Sequence, residues 1–307
     1  MRDMSSYYEK EALCEAKFHE LGECYHLWTP ENHEIIFTSQ ADFKTGMTLF
    51  GISARLFADV TILTFELMSN HIHITASGKE DRLIQLFETF KGLVLRWLKN
   101  NGRTTRLEKF QAGTRRLMTL DDLRNVIVYN NRNGFIVSQD HTPFTYPWGA
   151  NRYYFSPDSC RLAEQESKPF SLRERRLVAH SRIADEAEGL LVFDGYASPL
   201  SFCDIHTGES LFRDAAHYFN KLTKSVESNA SIAKEIGESV WYTDDELYSI
   251  VRKLCKEKFG VISPTAVAPN GRISLAKTLH YEFNASTKQL QRMLKLDSSV
   301  LNALGIN

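Results

Sequence analysis

The chain has 307 residues, 43% of them hydrophobic and 24% charged, which excludes a disordered class and allows ordinary globular cores. Its formal net charge of −1 gives no overall attraction to nucleic acid, so any DNA binding must come from local clusters of charge. No apolar run approaches the roughly 20 residues that span a bilayer, and the N-terminus lacks an apolar signal core, so we predict a cytoplasmic protein without membrane contact.

The first half of the chain alternates between strand and helix patterns. Runs of β-branched and aromatic residues predict strands over 24–29, 59–67, 71–75 and 110–117. Apolar spacing predicts helices over 42–55, 80–100 and 123–131. Ser69-Asn70 supplies a hairpin turn, Gly102 a helix stop and Thr119 an N-cap, while Asn133-Gly134 ends the last helix. The fold class predicted is α+β, an antiparallel sheet with helices packed on it.

The second half has a different character. A polar, proline-containing stretch predicts a linker and connecting segment over 156–200, between a first domain at 1–155 and a mostly helical domain at 201–307. Helices are predicted there over 210–223, 243–259, 274–283, 286–294 and 298–304. The last three, with Ser286 and Asp297 as N-caps, resemble a helix-turn-helix core. The final helix lacks the basic residues of a strong DNA reader, so a structural or dimerising bundle, in a homodimer, stays open.

Two histidines stand two residues apart in the second strand of the predicted hairpin. Side chains two apart on a strand share a face, so His71 and His73 present two imidazoles together while Ile72 points to the opposite core. Neutral imidazoles arranged in this way form half of a divalent metal site. A His-x-His pair on a strand is by itself equally compatible with two structural histidines.

Three blocks of sequence give the pair a context. The first is Glu66-Leu67-Met68-Ser69-Asn70-His71-Ile72-His73-Ile74, the second runs from Arg124 to Val137, and the third is Tyr146-Pro147-Trp148-Gly149-Ala150-Asn151-Arg152-Tyr153-Tyr154. Together they resemble, in order, the blocks of HUH single-strand transposases such as the REP-associated tyrosine transposases, over roughly residues 20–155. Ser69 stands where that family usually has proline.

The resemblance implies a mechanism and a ligand set. In this family a helix-borne tyrosine attacks a DNA phosphodiester, and a divalent metal held by the two histidines and a polar residue four positions after the tyrosine assists. The implied ligands are His71, His73 and Asn130, and an amide oxygen suits Mg²⁺ or Mn²⁺. The nucleophile position then falls on Val126, which cannot attack phosphorus.

The valine leaves two interpretations open. Tyr129 is displaced from position 126 by about 60° around the helix and is our candidate nucleophile, Tyr153 and Tyr154 being less suitable because they lie outside that helix. The chain is then a transposase-like enzyme acting on single-stranded or hairpin DNA. Alternatively it is a catalytically inactive, domesticated DNA-binding protein derived from such an enzyme. A two-histidine phosphodiesterase would need a second His-x-Ser/Thr beside His73-Ile74-Thr75, and the sequence has none.

Basic residues between Lys91 and Arg124 outnumber acidic ones and predict a strip that holds a phosphate backbone. The DNA-binding candidates are Lys99, Arg103, Arg106, Lys109, Arg115, Arg116 and Trp148, with Phe110 and Tyr153 as further rings for base stacking. An ordinary solvated surface is the alternative for each single residue.

Overall fold

Four antiparallel strands form the central sheet, in the order β2-β3-β1-β4. The computed structural model of the protein describes residues 4–30, 34–107, 110–137, 144–235, 244–283 and 285–306. The strands of this sheet are β1 (Cys24–Trp28), β2 (Thr61–Leu67), β3 (Ile72–Ser77) and β4 (Gly113–Leu117). The predicted strands and the hairpin are confirmed, and so is the α+β class with an antiparallel sheet.

The two faces of the sheet differ in chemistry. On one face, Phe65, Ile72 and Ile74 are buried under α2 (Gln40–Arg55) and α3 (Glu80–Asn100), with the rings of Phe50 and Phe65 4.8 Å apart. The opposite face carries the polar side chains of the same strands, because alternate residues point to opposite sides. This polar face is also buried, which means that something must satisfy its hydrogen-bonding groups.

Helix α4 (Leu120–Val137) covers the polar face, with α1 (Met4–Leu21) packed against it. Thr119 caps its start, since the Thr119 Oγ1 accepts a hydrogen bond from the Asp122 N–H at 3.1 Å. The helix continues to Val137, so the prediction that it ends at Asn133-Gly134 is wrong. A single glycine costs a helix only about 1 kcal/mol, which tertiary packing readily offsets.

A chain of buried hydrogen bonds ties α4 to the sheet and to the following segments. Thr64 on β2 donates to the Asn131 side-chain oxygen, and the Asn131 Nδ2 donates to the Tyr218 hydroxyl at 2.8 Å. That hydroxyl donates to Asn151 Oδ1 at 2.5 Å, and Asn151 Nδ2 donates to the Asn131 carbonyl at 2.9 Å. Every member satisfies another, so the register of α4 on the sheet is specified by polar groups as well as by packing.

Residues 156–200, predicted as a linker, are folded into the first core. They form α5 (Pro157–Glu166), α6 (Leu172–Ala179) and a second sheet of order β5-β6-β7. The strands of that sheet are β5 (Lys168–Pro169), β6 (Leu191–Phe193) and β7 (Tyr196–Ala197). This segment packs on α2, where the Ala197 N–H donates to Thr48 Oγ1 at 3.2 Å. Few residues of this segment are buried and most of those are small, so its polar composition gave no sign that it belongs to the core.

The remaining chain is helical, as predicted. Its helices are α7 (Ile205–Ser210), α8 (Ala215–Glu235), α9 (Asp244–Phe259), α10 (Pro269–Phe283), α11 (Thr287–Leu294) and α12 (Ser298–Ala303). The first apolar core extends to Leu222, and a second is built from α9 to α12. Ser286 caps α11 through a reciprocal hydrogen-bond pair with Gln289, as its position predicted. Within the described ranges, no helix has the length and apolar character needed to cross a membrane.

Close packing beside the polar face makes one glycine irreplaceable. A Cβ added at Gly208 on α7 would overlap the hydroxyl of Tyr154, which donates to the Leu63 carbonyl at 2.6 Å. We expect Gly208→Ala to lower the free energy of unfolding by about 2 kcal/mol, because the phenol must leave that bond. Urea titration checks this, with Gly92→Ala as the matched control. Gly92 is exposed in α3 with nothing near its Cβ position, so that change should be neutral or stabilising.

Candidate functional site

Three histidines lie together on the polar face of the sheet. His73 comes from β3, His71 immediately precedes that strand, and His26 comes from the neighbouring β1. The His26 Nε2 and His73 Nδ1 atoms are 3.3 Å apart, and the His71 and His73 ring centroids are 5.1 Å apart. All three side chains are buried. The sheet therefore gathers three imidazoles, two predicted from the sequence and one not.

Burial keeps these imidazoles neutral at physiological pH. Desolvation lowers the pKa of His26 to about 4, with the positive charge of Arg115 adding to the effect and a contact with the Asn130 side chain opposing it. Desolvation likewise lowers the pKa of His71 to about 4, and that of His73 falls well below its ordinary value of 6.5. A neutral imidazole keeps a lone pair on one ring nitrogen, which is the form that binds metals.

Asn130 on α4 brings an amide to the same place. Its Nδ2 donates to the Thr75 hydroxyl on β3 at 2.8 Å. Its Oδ1 is buried and has no hydrogen-bond partner among the residues that the structure describes. Because an unsatisfied buried acceptor costs about 1–3 kcal/mol, this oxygen is a site where a bound cation would be favourable. The donor set therefore fits a divalent metal.

The fit depends on the amide as well as on the imidazoles. In the described part of the chain, no three histidine, cysteine, aspartate or glutamate side chains are arranged to hold a metal ion. His71 Nδ1 is 2.8 Å from Asn70 Oδ1, so this nitrogen is already engaged in a hydrogen bond. A metal here would be held by a mixed set of imidazole nitrogens and the Asn130 oxygen.

Tyr129, the neighbour of Asn130, has its phenol at the entrance of the site. Its ring centroid is 5.6 Å from that of His73 and 6.2 Å from that of His26, and the side chain is 39% exposed. The Arg132 guanidinium carbon lies 4.9 Å from the ring centroid. The tyrosine is thus beside the imidazoles and accessible, whereas Val126 is almost fully buried at the cleft wall.

The other two candidate tyrosines are inaccessible. Tyr153 and Tyr154 are completely buried, and burial raises the pKa of both phenols above the ordinary value of 10. The Tyr154 hydroxyl is already bonded to the Leu63 carbonyl. Neither can meet a phosphodiester without unfolding of the core.

A cleft of about 790 Å³ opens over the histidines. Strands β1, β3 and β4 and helices α4 and α8 form its walls. The lining residues are His26, Trp28, His73, Arg115, Asp122, Asn125, Val126, Val128, Tyr129, Lys221, Lys224 and Ser225. Lys221 lies 3.2 Å from Asp121, and Arg115 pairs with Asp122 at 3.0 Å. Lys224 is exposed and forms no ion pair within the described ranges. The cleft thus combines cations, an indole and a phenol, the chemistry that accommodates a single nucleic-acid strand.

The described residues of the predicted basic strip have different surroundings. Arg115 lines the cleft, but Arg116 pairs with Glu23, and Arg103 bonds Asp42 and the Ile36 carbonyl. Lys99 and Arg106 are exposed but do not line the cleft, and Lys109 lies outside the described residues. Arg124 is buried in an ion pair with Glu11.

The three rings predicted to stack on bases, Trp148, Phe110 and Tyr153, are all buried in the structure. Trp148 is 7% exposed and its ring stacks on Phe43, with centroids 5.1 Å apart. Phe110 and Tyr153 are fully buried. Trp28, which the sequence did not single out, is the indole that lines the cleft.

His26, Lys221 and Lys224 were missed because they belong to no motif. The alternation of Cys24, His26 and Trp28 on one face of β1 was the only available signal, and it identifies a face without saying which strand lies alongside. The two lysines are one turn apart on α8, far along the chain from the other site residues.

Comparisons of the chain with protein-family models, with curated protein sequences and with solved structures gave no match. Functional inference therefore depends on the geometry and chemistry of the cleft.

Proposed function

We propose that the protein is a metal-dependent enzyme that cleaves and rejoins single-stranded or hairpin DNA through a phosphotyrosine at Tyr129. The observation that carries this proposal is that the exposed Tyr129 phenol lines one cleft with the buried imidazoles of His26 and His73, next to Asn130, whose side-chain oxygen is unsatisfied among the described residues. An ordinary structural site would pair that oxygen and bury that phenol.

The three sequence blocks also meet in space, which supports the proposal. Glu66 of the first block forms a β-bridge with Gly149 of the third, and Tyr146 of the third donates to the Leu67 carbonyl at 2.9 Å. Asn151 of the third block bonds the Asn131 carbonyl of the second. Blocks that resemble one transposase family therefore form one connected unit around the histidines.

The chemistry assigned to the residues balances without a redox step. The Tyr129 oxygen forms a bond to phosphorus and the bond from phosphorus to the 3′-oxygen breaks, leaving a 5′-phosphotyrosine and a 3′-hydroxyl. The proton lost by the phenol is matched by the proton gained by the leaving oxygen. The reverse reaction joins a new 3′-hydroxyl to the phosphate.

Each group at the site has a defined role in this reaction. Bound to His71, His73 and Asn130, a Mg²⁺ or Mn²⁺ ion would withdraw charge from the phosphate oxygens. Lys221, Lys224 and Arg115 hold the flanking phosphates, while Trp28 offers a face for a base. Arg132, against the Tyr129 ring and bonded to the Ser225 carbonyl at 2.7 Å, orients the phenol.

A covalent adduct tests the proposal. The full chain is incubated with labelled hairpin and single-stranded oligonucleotides and Mn²⁺ or Mg²⁺, and the product is run on a denaturing gel. The expected result is a protein–DNA species that survives denaturation, requires the metal and disappears in chelator. Absence of an adduct with every hairpin and metal tried contradicts the enzyme.

The alternative is a DNA-binding protein without catalysis, which the valine at position 126 favours. The same cleft would then bind a strand that is never cut. Strand binding without adduct formation, independent of metal, would establish this second function.

The cleft lysines carry a prediction that both functions share. We expect Lys224→Ala to weaken binding of a single-stranded oligonucleotide about threefold to tenfold at low salt, because one phosphate contact is lost. The salt dependence should also flatten, with the slope of log affinity against log salt reduced by about 0.7. Fluorescence anisotropy measures both, with Lys17→Ala on α1 as the control. Unchanged binding would place the strand elsewhere.

The second core supplies the other proposed DNA contact. Helices α10 and α11 are consecutive along the chain and pack together, which supports the helix-turn-helix that the sequence resembles. A structural or dimerising bundle is the alternative. Replacing Lys288 and Arg292 on α11 by alanine should weaken duplex binding if α11 reads DNA, whereas a change only in oligomeric state, measured by light scattering, indicates a bundle.

A further inference from the structure

His26 contacts His73, although neither the motif nor the resemblance includes it. The strand order places β1 beside β3, and the register pairs His26 with Thr75 and Trp28 with His73. The two imidazoles are stacked, with an interplanar angle of 16° and centroids 5.5 Å apart. Their facing nitrogens are His26 Nε2 and His73 Nδ1, 3.3 Å apart.

The distance between these two nitrogens is compatible with two arrangements. Two neutral imidazoles at this distance share one hydrogen, one ring donating and the other accepting. Two nitrogens bound to a common ion at about 2.1 Å, with an angle of 90–110° between them, are also roughly 3.0–3.4 Å apart. The pair is therefore already spaced as two ligands, once the shared hydrogen moves to the outer nitrogen of its ring.

Asn130 supplies the observation that favours an ion. Its Nδ2 is anchored on Thr75, the register partner of His26, so the amide is held over these two strands. Its Oδ1 is left without a hydrogen-bond partner among the described residues, although the residue is fully buried. The Asn130 side chain interacts with His26 but without a hydrogen bond of ordinary geometry to this oxygen, and a cation between the rings and the amide would satisfy it.

We propose that His26 Nε2, His73 Nδ1 and Asn130 Oδ1 are three ligands of one divalent first-row transition ion, with His71 flanking the site. The inference rests on the proposed function for the presence of a metal, and changes its ligand set and its identity. Two or three imidazoles favour Mn²⁺, Co²⁺ or Zn²⁺, because Mg²⁺ prefers oxygen ligands. The sequence motif also supplies two imidazoles, His71 and His73, together with Asn130, so the proposal exchanges His71 for His26 and keeps the number of ligands.

Direct metal binding tests this without any DNA. The chelator-treated full chain is titrated with Co²⁺, followed by visible absorption and by calorimetry. We expect one Co²⁺ per chain, bound at least tenfold more tightly than Mg²⁺. His26→Ala should weaken Co²⁺ binding at least about tenfold, since even residues that only orient a ligand change affinity by 10–100-fold. His26→Gln serves if the alanine variant fails to fold, and exposed His19→Ala is the control.

The outcomes separate this inference from the proposed function. If His71→Ala abolishes Co²⁺ binding and His26→Ala does not, the inference is overturned and the motif ligands stand. If the wild-type chain binds none of Mn²⁺, Co²⁺ and Zn²⁺, the inference is overturned, and the adduct assay then decides separately about cleavage.

A spectroscopic readout identifies the ligand atoms in the unmodified chain. Zn²⁺ added to the ¹⁵N-labelled wild-type protein should shift the Nε2 resonance of His26 and the Nδ1 resonance of His73. Shifts confined to the nitrogens of His71 and His73 would contradict the proposal.

Discussion

Replacing Tyr129 with phenylalanine is expected to abolish the covalent protein–DNA adduct while leaving the fold and DNA binding intact. Phenylalanine keeps the ring against Arg132 and beside His73 but removes the only exposed phenol in the cleft, within the described residues. Loss of a covalent nucleophile reduces turnover by at least about a thousandfold. The rate of adduct formation on a denaturing gel measures the effect, and circular dichroism with anisotropy shows that structure and affinity are kept.

A matched tyrosine makes this result specific. Tyr8→Phe removes an exposed phenol from α1 and should leave the adduct unchanged. If Tyr129→Phe still forms the adduct, mass spectrometry of the labelled peptide identifies the true nucleophile and the role of Tyr129 is refuted. A thousandfold loss in both variants would indicate a general effect on the protein and would equally remove the assignment.

Replacing Arg124 with methionine is expected to lower the free energy of unfolding by about 2–4 kcal/mol. The guanidinium is 1% exposed, bonds both carboxylate oxygens of Glu11 on α1, and donates to the Leu211 carbonyl at 2.6 Å. Methionine leaves the buried Leu211 carbonyl without this donor, and among the described residues it leaves the Glu11 carboxylate with Arg213 as its remaining ion-pair partner, at 2.9 Å. Removing one partner of a buried ion pair destabilises a protein much more than replacing both partners by apolar residues.

The pH dependence of this effect has a definite sign. The hydrogen bond from Arg124, aided by Arg213, lowers the pKa of Glu11 from 4.5 to about 2. The stabilisation linked to this lowered pKa is present above pH 4.5 and is lost as the pH falls towards 2. The difference between wild type and Arg124→Met, from urea unfolding, should therefore be largest at pH 5 or above and shrink at pH 3.

An exposed ion pair provides the control for Arg124. Arg176→Met removes a two-point pair with Asp185 on the surface of α6, and we expect a change of about 1 kcal/mol or less. Equal losses in the two variants, or no loss in Arg124→Met, would contradict a structural role for Arg124. If Arg124→Met instead lowered DNA affinity without lowering the free energy of unfolding, the prediction that Arg124 belongs to a DNA-binding basic strip would be supported.

Helices and turns that are determined by residues close together in the sequence could be predicted. The helix over 80–100 and its glycine stop were found as predicted, because apolar spacing and a residue that adopts positive φ act locally. The hairpin that carries the histidine pair was predictable for the same reason. The linker at 156–200 was not, because its burial depends on the shape of α2, which offers space between small side chains.

Charges and aromatic rings were harder to place than elements. Arg124 and Arg115 stand nine residues apart with similar neighbours, yet one is buried and one is 50% exposed in the cleft. The sequence contains no local signal that separates them, since burial of a charge depends on a partner supplied by a distant helix, here Glu11. Trp148, predicted to stack on a base, is buried against Phe43, whereas Trp28, for which no role was predicted, lines the cleft.

The amino-acid sequence determined the alternation of strands and helices, the hairpin, and the shared face of His71 and His73, because each follows from the backbone geometry of adjacent residues. Only the tertiary structure decided that His26 lies against His73, that the Asn130 side-chain oxygen has no hydrogen-bond partner among the described residues, and that lysines of α8 line the cleft. Those contacts join segments separated by 47 or more residues, and strand order and helix docking are properties of the whole core, which no local pattern encodes.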